Sequence, residues 1–422
     1  MTHDFLMRHG MAPEQVELPS LCRRFQEEMD AGLAGKPSTI LMLPTYLSVD
    51  GILSRNEPVA VIDAGGTNAR VAKVTFTHGG ATVENSTVFP VPGSRGEVTR
   101  EGFVDAFAEA LSPFVADCKA IGFCFSFPAR ITPQRDGEVL YFDKEVRVSD
   151  APGMLLLHEL NTALEKRGIP PRPGVVLNDT VAALLGGMFQ TEVSRYDGFV
   201  GLIYGTGLNT CYSEAVESIG KLEGNLGGTM LINTESGAFG KVFPGTFDRR
   251  LDGDSRDPGH HLYEKMVSGA YLGEVVRYTL AGAAEEGLLP DRFRTIPRLE
   301  TYEADGFVAS PTEGGPLAAL CRTDGERQFV LDIISALSRR AARLVCGNLA
   351  AILLQAGLGK DPARPACIVA EGSTLYKSRL LFPLLEAEMA AYVGGELGLH
   401  YTFLRPENAN LMGAAAAALL NG

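Results

Sequence analysis

The chain has 422 residues, 45% of them hydrophobic and 21% charged, which is enough for one large domain or for two domains around a cleft. Its formal net charge is −13 and no basic stretch stands out, so neither nucleic acid nor an anionic membrane surface is expected as a partner. The seven cysteines are scattered and include no C-x-x-C pair. Reduced thiols fit this pattern better than a disulfide framework, and we expect a cytoplasmic protein without an export signal.

The first segments in chain order are a helix, a linker and a strand. Apolar residues recur every three to four positions over residues 14–32, which predicts an amphipathic surface helix. Residues 41–46 contain a proline and predict an extended linker, and the β-branched run at residues 58–62 predicts a buried strand. We therefore expect a new folding unit to begin near residue 56.

Two passages of the chain resemble each other. In each, a hydrophobic strand ends in small residues and a second β-like run follows: VAVIDAGGTN at residues 59–68 and FVGLIYGTGLN at residues 199–209. Glycines at such turns let backbone amides approach a ligand without a Cβ in the way. A pair of glycine-rich hairpins therefore predicts a site that holds a polyphosphate from two sides.

The remaining segments alternate between β-rich and helical patterns, which predicts an α/β protein. The apolar run at residues 411–420 is half of the ~20 residues that a membrane span requires, so it predicts a packed helix. Asp257 and Pro258 are a plausible N-cap and first position for a long helix. Strands are expected at residues 120–127 and 174–177, and helices at residues 180–189 and 258–281.

Asp63 and Asp179 lie in two patterns that suggest chemistry. In DAGGTNAR, residues 63–70, the glycines open the backbone and Asp63 is placed to hold a hydrated magnesium ion, although the same pattern is also an ordinary hairpin turn. Asp179 follows a strand and begins a helix, where active sites of open α/β sheets collect. The alternative is that Asp179 is only the N-cap of that helix.

Glu235 and Glu264 are two further carboxylates outside any charge cluster. Such residues are either solvated or serve as acceptors for the paired hydroxyls of a sugar. His260 and His261 precede Glu264, but a metal site would need a third protein ligand, and none is evident. We expect these histidines to form hydrogen bonds near a ligand or to face solvent.

Six motifs, in order and spacing, resemble the hexokinase family over much of the chain, from residue 43 to at least residue 269. They are DAGGTNAR at 63–70, FSFP at 125–128, NDTV at 178–181, GTGLN at 205–209, INTE at 232–235, and residues 258–269. The resemblance implies a two-domain α/β fold of the actin-like ATPase, ribonuclease H-like, type with a cleft between the domains. It also implies transfer of the ATP γ-phosphoryl group, with Mg²⁺, to the 6-hydroxyl of a hexose.

The resemblance implies a division of the chain as well. A small domain would span residues 56–178 and be completed by the C-terminal helix at 411–422. The large domain would consist of residues 1–55 and 179–410. The expected partner is a hexose, glucose or a close relative, and the protein would be a monomer or a homodimer.

Each matching residue then receives an implied role. Asp179 resembles the catalytic base. The sugar-binding set would be Ser126, Phe127, Pro128, Lys144, Asn178, Asn209, Glu235 and Glu264. The first phosphate loop would comprise Asp63, Gly65, Gly66, Thr67, Asn68 and Arg70, with magnesium held through water at Asp63. The second phosphate loop would comprise Gly205, Thr206 and Gly207. Adenosine would lie near Gly372, Ser373 and Thr374.

The sequence departs from the family pattern at several positions. It contains no Trp, and Asp143 replaces a family Thr beside the expected sugar pocket, where it would accept a hydroxyl, pair with Lys144 or attract an amino sugar. His260 and His261 replace a Gln pair, and residues 407–413 lack the small residues of the family's nucleotide loop. Asp143 therefore predicts a substrate other than plain glucose. The bulkier side chains at residues 407–413 predict either a narrower adenosine site or a shifted nucleotide preference.

Two other functions remain open from the sequence. A non-catalytic relative would bind a hexose and close without consuming ATP, because a fold does not guarantee its chemistry. An actin-like ATPase acting on protein partners would hydrolyse nucleotide without sugar, and the paired glutamates argue against it.

Overall fold

The computed structural model describes residues 1–49, 51, 53–65, 68–78, 80–142, 146–222 and 227–421. The strands in chain order are β1 (Leu43–Pro44), β2 (Pro58–Ala64), β3 (Asn68–Thr77), β4 (Gly80–Pro90), β5 (Val98–Thr99), β6 (Ala120–Phe125), β7 (Ala129–Ile131), β8 (Gly137–Val139), β9 (Val148–Ser149), β10 (Gly174–Leu177), β11 (Phe199–Tyr204), β12 (Leu208–Ala215), β13 (Thr229–Asn233), β14 (Ala366–Glu371) and β15 (Tyr401–Leu404).

Helices precede, separate and follow groups of these strands. They are α1 (Thr2–Arg8), α2 (Leu18–Leu33), α3 (Arg100–Leu111), α4 (Leu156–Glu165), α5 (Asp179–Met188), α6 (Thr246–Gly253), α7 (Leu262–Val267), α8 (Leu272–Glu285), α9 (Thr301–Ala309), α10 (Gly315–Leu320), α11 (Asp324–Gln355), α12 (Ser373–Lys377), α13 (Leu381–Met389) and α14 (Ala409–Asn421). Six of them, α6 to α11, lie consecutively between β13 and β14. No helix among the described residues is long and apolar enough to cross a membrane.

A first sheet has the strand order β10-β6-β2-β3-β4. Strands β6 and β10 run parallel to β2, and β3 returns antiparallel to it. Successive residues of β2 face opposite sides, so Ala60 and Ile62 pack toward α3 and α4 whereas Val59 and Val61 pack toward α5 and α14. Because both faces are covered, the strand is a continuous apolar run.

A second sheet has the order β1-β13-β12-β11-β14-β15. Strands β11 and β12 form an antiparallel hairpin, and β14 lies parallel to β11 on its other side. Helices α2 and α11 cover one face in a core that includes Phe25, Leu202 and Leu349. The sheet therefore presents the carboxyl ends of β11 and β14 at the same edge.

Helices α14 and α5 cross at backbone contact. A Cβ on Gly413 would lie 1.8 Å from the carbonyl oxygen of Ala182, and one on Gly186 would lie 2.1 Å from that of Ala409. On the other side of α14, a Cβ on Gly122 of β6 would lie 2.2 Å from the Ala414 oxygen. The alanine-rich C-terminal run is thus the packed helix that its composition predicts, beginning at Ala409.

The prediction of one long helix over residues 258–281 is wrong. Gly259 and His261 have positive φ angles of 82° and 52°, so α7 begins only at Leu262, and Asp257 and Pro258 do not cap it. The chain then breaks between α7 and α8, because the amide of Gly269 donates to the Gly205 carbonyl. Tertiary hydrogen bonds to the second hairpin replace those of a continuous helix.

Three smaller boundaries also differ from expectation. The first amphipathic helix begins at Leu18 because residues 13–15 form a separate 3₁₀ turn. The expected strand 120–127 ends at Phe125. The linker at 41–46 contains β1, which pairs with β13. The domain boundaries expected from the resemblance stay a prediction.

Candidate active site

Two glycine turns lie at the ends of β2 and β11. At the first, the amide of Gly65 donates to the Asn68 carbonyl over 3.2 Å, and at the second, that of Gly205 donates to the Gly207 carbonyl over 3.0 Å. Both passages form the strand-turn-strand hairpins that the sequence predicts. Gly66 and Thr67 of the first turn lie outside the described residues.

Asp179 is the first residue of α5, directly after β10 and Asn178. The N-cap is Asn178, whose Oδ1 accepts the amide of Thr180 over 2.9 Å. The alternative that Asp179 is the N-cap is therefore wrong. Asp179 accepts a bond from the Thr180 hydroxyl over 3.3 Å, and capping does not occupy its carboxylate.

Three carboxylates from different strand ends influence one another. Burial raises the pKa of Asp63 to about 6, and the charge of Asp179 adds to the rise. Burial also raises the pKa of Glu371 to about 7, together with the charges of Asp63 and Asp179. The sequence analysis missed Glu371, although its place at a strand end, immediately before Gly372, was a usable signal.

Glu235 is held by a short chain of amide side chains. Nδ2 of Asn209 donates to Oδ1 of Asn233 over 2.8 Å, and Nδ2 of Asn233 donates to Oε1 of Glu235 over 2.7 Å. Burial raises the pKa of Glu235 and the Asn233 bond opposes this, while the charge of Asp179 adds to the rise. Glu235 thus lies within electrostatic reach of Asp179, and Asn233 is a second residue that the sequence analysis missed.

Glu264 lies against the second glycine hairpin. Its Oε2 accepts the amide of Leu208 over 2.9 Å. A Cβ on Gly207 would lie 2.7 Å from that oxygen, so a larger residue at position 207 would require the carboxylate to shift. The charge of Glu264 also acts on Glu235, which places the two glutamates at one site.

Gly372 and Thr374 pack on the same hairpin. Gly372 has a φ of 130°, and a Cβ there would lie 2.1 Å from the Tyr204 carbonyl oxygen. The Thr374 hydroxyl donates to the Gly205 carbonyl over 2.8 Å, and Ser373 begins α12. The residues expected near adenosine therefore border the second glycine hairpin.

The C-terminal loop reaches the first hairpin. Nε of Arg70 donates to the Ser86 hydroxyl over 2.8 Å, and its Nη1 donates to Oδ1 of Asn408 over 2.9 Å. Nδ2 of Asn410 points to Oδ1 of Asp63 over 3.5 Å. Arg70 is thus engaged by side chains from β4 and from the loop that precedes α14.

The S-F-P segment leaves β6 beside the first hairpin. The amide of Ser126 donates to the Ala64 carbonyl over 3.1 Å. Phe127 is buried against Phe125 and Phe142, with ring centroids 5.2 and 5.1 Å apart, and Pro128 is half-buried. Asp143 and Lys144 lie outside the described residues.

The two histidines are exposed. Nδ1 of His261 lies 3.1 Å from Oδ2 of Asp257, and the charge of His261 opposes the rise in the pKa of Glu235. His261 therefore faces solvent within electrostatic reach of Glu235.

Known proteins resemble this chain along its length. Two family models, each described as Hexokinase, match residues 199–420 and 6–189. Hexokinase-7 of Oryza sativa subsp. japonica is 32% identical over 98% of this chain and 95% of its own. Hexokinase-3 of Homo sapiens is 29% identical over 98% of this chain and 47% of its own.

Solved hexokinase structures also resemble this chain. The hexokinase from Schistosoma mansoni complexed with glucose has a TM-score of 0.77 at 25% identity, with 99% of both chains covered. Another hexokinase crystal structure has a TM-score of 0.81 at 21% identity, covering 99% of this chain and 97% of its own, and so shows the shared fold. The expected two-domain fold of the actin-like ATPase type is confirmed. On these matches, the chain belongs to the hexokinase family.

Proposed function

We propose that this chain transfers the γ-phosphoryl group of magnesium-ATP to the 6-hydroxyl of a hexose, glucose or a close relative, with Asp179 as general base. The position of Asp179 carries the proposal. It begins α5 with Asn178 as the N-cap, and its charge acts on both Glu235 and Asp63. A base between a sugar subsite and a phosphate subsite is what the reaction requires.

The chemical step is an in-line displacement. The sugar hydroxyl oxygen bonds to the γ-phosphorus, its proton passes to the Asp179 carboxylate, and the bond from the γ-phosphorus to the bridging oxygen breaks to leave ADP. Such a transfer depends mainly on alignment and on charge around the phosphoryl group. The second hairpin and the first turn contribute backbone amides for that charge.

The residues at the first hairpin fit a magnesium ion. Asp63 is a buried carboxylate at the end of β2, and burial is the main cause of its raised pKa. Carboxylate oxygen is a donor that Mg²⁺ prefers. The ion would be held at Asp63 through water and by phosphate oxygens of the nucleotide. When bound, magnesium neutralises phosphate charge.

The sugar and the nucleotide would contact different residues of the site. Asn178, Asn209, Glu235 and Glu264 would accept and donate hydrogen bonds to the sugar hydroxyls, joined by Ser126, Phe127, Pro128 and Lys144. Asp63, Gly65 to Asn68 and Arg70 would surround one side of the polyphosphate, and Gly205, Thr206 and Gly207 the other. Adenosine would lie near Gly372, Ser373 and Thr374, which border Gly205.

Closure of the cleft on sugar belongs to the same proposal. Water competes with the sugar as nucleophile, so an enzyme of this kind gains by completing its site only after sugar binds. The division into a small domain of residues 56–178 with 411–422, and a large domain of the rest, would permit this. Small-angle scattering should then show compaction at saturating sugar, and an unchanged profile would count against closure.

The first experiment measures ADP release from magnesium-ATP with glucose, mannose, fructose, glucosamine and N-acetylglucosamine. Turnover on at least one sugar should fall by roughly 10²- to 10⁴-fold in Asp179→Asn, while sugar binding persists. Asp105→Asn, which removes an exposed carboxylate paired with Arg167, is the control. Full activity in Asp179→Asn would refute the assignment of Asp179 as general base. Sugar binding without turnover in the wild type would refute the proposed kinase activity.

A further inference from the structure

A cavity of about 370 Å³ opens beside the amino end of β10. It lies at the other end of that strand from Asp179, so it is separate from the proposed active site. This volume is within the range of small-molecule sites, roughly 300–1,000 Å³. Its lining includes Gln134, Arg135, His158, Asn161, Arg172 and Asn421.

The cavity carries unbalanced positive charge. The Arg172 guanidinium donates to the carbonyls of Val115 and Ala116, and that of Arg135 donates to other backbone carbonyls. Over the part of the chain that the structure describes, neither guanidinium pairs with a carboxylate. The acid in the lining, Asp136, is already satisfied by backbone amides, including those of Leu157 and His158 at 2.8 and 2.9 Å.

The cationic groups are held in place. The backbone amide of Arg172 donates to Oδ1 of Asn161, and Nδ2 of Asn161 donates to the Arg172 carbonyl, each over 2.9 Å. Arg135 has a φ of 64°, and its carbonyl accepts the amide of Val176 over 2.8 Å. The backbone at both arginines is thus fixed, and the bonds to backbone carbonyls restrict the two guanidiniums. A restricted side chain loses less entropy when a ligand binds.

We propose that this cavity binds a small phosphorylated metabolite, with Arg135 and Arg172 as the phosphate ligands. Guanidinium groups recognise phosphate oxygens through paired, charge-assisted hydrogen bonds. The exposed imidazole of His158 lies at the same cavity and contributes a third donor. The remaining volume accommodates the carbon skeleton of a phosphomonoester.

The site is connected to the junction of the two sheets. Nε of Arg135 donates to the carbonyl of Tyr46 over 3.2 Å, and its Nη1 donates to the carbonyl of Asn421 at the end of α14. Asn421 in turn accepts the amide of Ser48 over 3.2 Å. A phosphate that engages Arg135 acts on the linker between β1 and β2 and on the end of α14, so we expect it to change the sugar KM.

Calorimetric titration of the full chain with glycerol 3-phosphate and with inorganic phosphate tests the site. Binding should weaken by about tenfold or more in Arg172→Gln, since a charge-assisted bond is lost, and less in His158→Gln. Arg167→Gln, an arginine paired with Asp105 outside the cavity, should bind as the wild type does. Tighter binding of the ester than of phosphate identifies a metabolite, and the reverse identifies free phosphate.

Several results would overturn the proposal. They are no binding of either probe at millimolar concentration, equal binding in Arg172→Gln, and displacement by saturating magnesium-ADP, which would place the anion at the nucleotide site. Circular dichroism verifies that each variant is folded. The same probe should shift the wild-type sugar KM, and the shift should disappear in Arg172→Gln; a shift that persists would also contradict the site.

Discussion

The side-chain amide of Asn233 holds the carboxylate of Glu235 through a hydrogen bond of 2.7 Å. Glu235 has a φ of 55°, a left-handed conformation that is uncommon for a residue other than glycine. Asn233 is itself buried and fixed by Asn209. The orientation of one proposed sugar ligand therefore depends on a neighbour that has no assigned contact with sugar.

Replacing Asn233 by Asp should raise the sugar KM more than it lowers kcat. The change removes the donor to Glu235 and sets a second carboxylate against it, and an unsatisfied buried polar group costs about 1–3 kcal/mol. That range corresponds to an increase in KM of about five- to 150-fold. Steady-state kinetics against sugar at saturating ATP gives the value, with the exposed Asn85→Asp as control, and an unchanged KM would contradict the role of Asn233.

Replacing Gly207 by Ala should also weaken sugar binding. The new Cβ would lie 2.7 Å from Oε2 of Glu264, so the carboxylate must move or lose its bond to the Leu208 amide. Loss of that charged hydrogen bond is worth about 1.5–3 kcal/mol. Direct sugar titration measures the effect. Gly96→Ala, where a Cβ meets nothing within 4 Å, should leave affinity unchanged, and equal affinities for both variants would disprove the contact.

The sequence predicts the parts of the site that local patterns determine. Gly65 and Gly205 follow buried strands, so the turn and the two flanking strands are evident from neighbouring residues. Asp179 is likewise found at a strand-to-helix boundary. Each of these features depends on a few consecutive residues, and the roles proposed for them rest on the family resemblance.

Features set by contacts distant in the chain were missed. The break after α7 exists because Gly269 and Ala270 bond to the carbonyls of Gly205 and Thr206, and helical periodicity contains no sign of those partners. Glu371 joins the acidic group only because β14 lies beside β11. The bond from Arg70 to Asn408 requires the C-terminal loop to return to β3. Pairings of this kind are properties of topology and not of local sequence.

Arg340 on α11 and Asp248 on α6 form a buried ion pair that joins these two helices. Their two hydrogen bonds measure 2.7 and 2.6 Å, and both residues are nearly inaccessible. Arg340→Met should lower the free energy of unfolding by about 3–5 kcal/mol, because it strands a buried carboxylate.

Chemical denaturation measures this loss. Lys119→Met, which breaks an exposed pair with Glu57, should cost about 0–1 kcal/mol. Adding Asp248→Leu to Arg340→Met should recover part of the loss, since the stranded charge is gone. A single variant as stable as the wild type would contradict the importance of the pair.

The carboxylate of Glu28 on α2 accepts hydrogen bonds from the segment that leads to β1. Its Oε2 accepts the amide of Thr39 over 2.5 Å, the hydroxyl of Thr39 over 2.6 Å and that of Ser38 over 3.2 Å. Burial raises the pKa of Glu28, but these hydrogen bonds and the charge of Lys241 outweigh it, so the pKa lies below its ordinary value. The charged form is therefore favoured by the fold.

This depressed pKa predicts an acid-sensitive contribution to stability. The contribution is complete above the unfolded pKa of Glu, about 4.3, and is lost as the pH falls through the lower, folded value. Glu28→Gln should be less stable than the wild type at neutral pH, and the difference should shrink as the pH is lowered toward about 3. Urea unfolding across this range, with the exposed Glu27→Gln as control, measures it. A difference that stays constant with pH would show that the carboxylate's charge does not hold the segment, because only a titrating group links folding to proton binding.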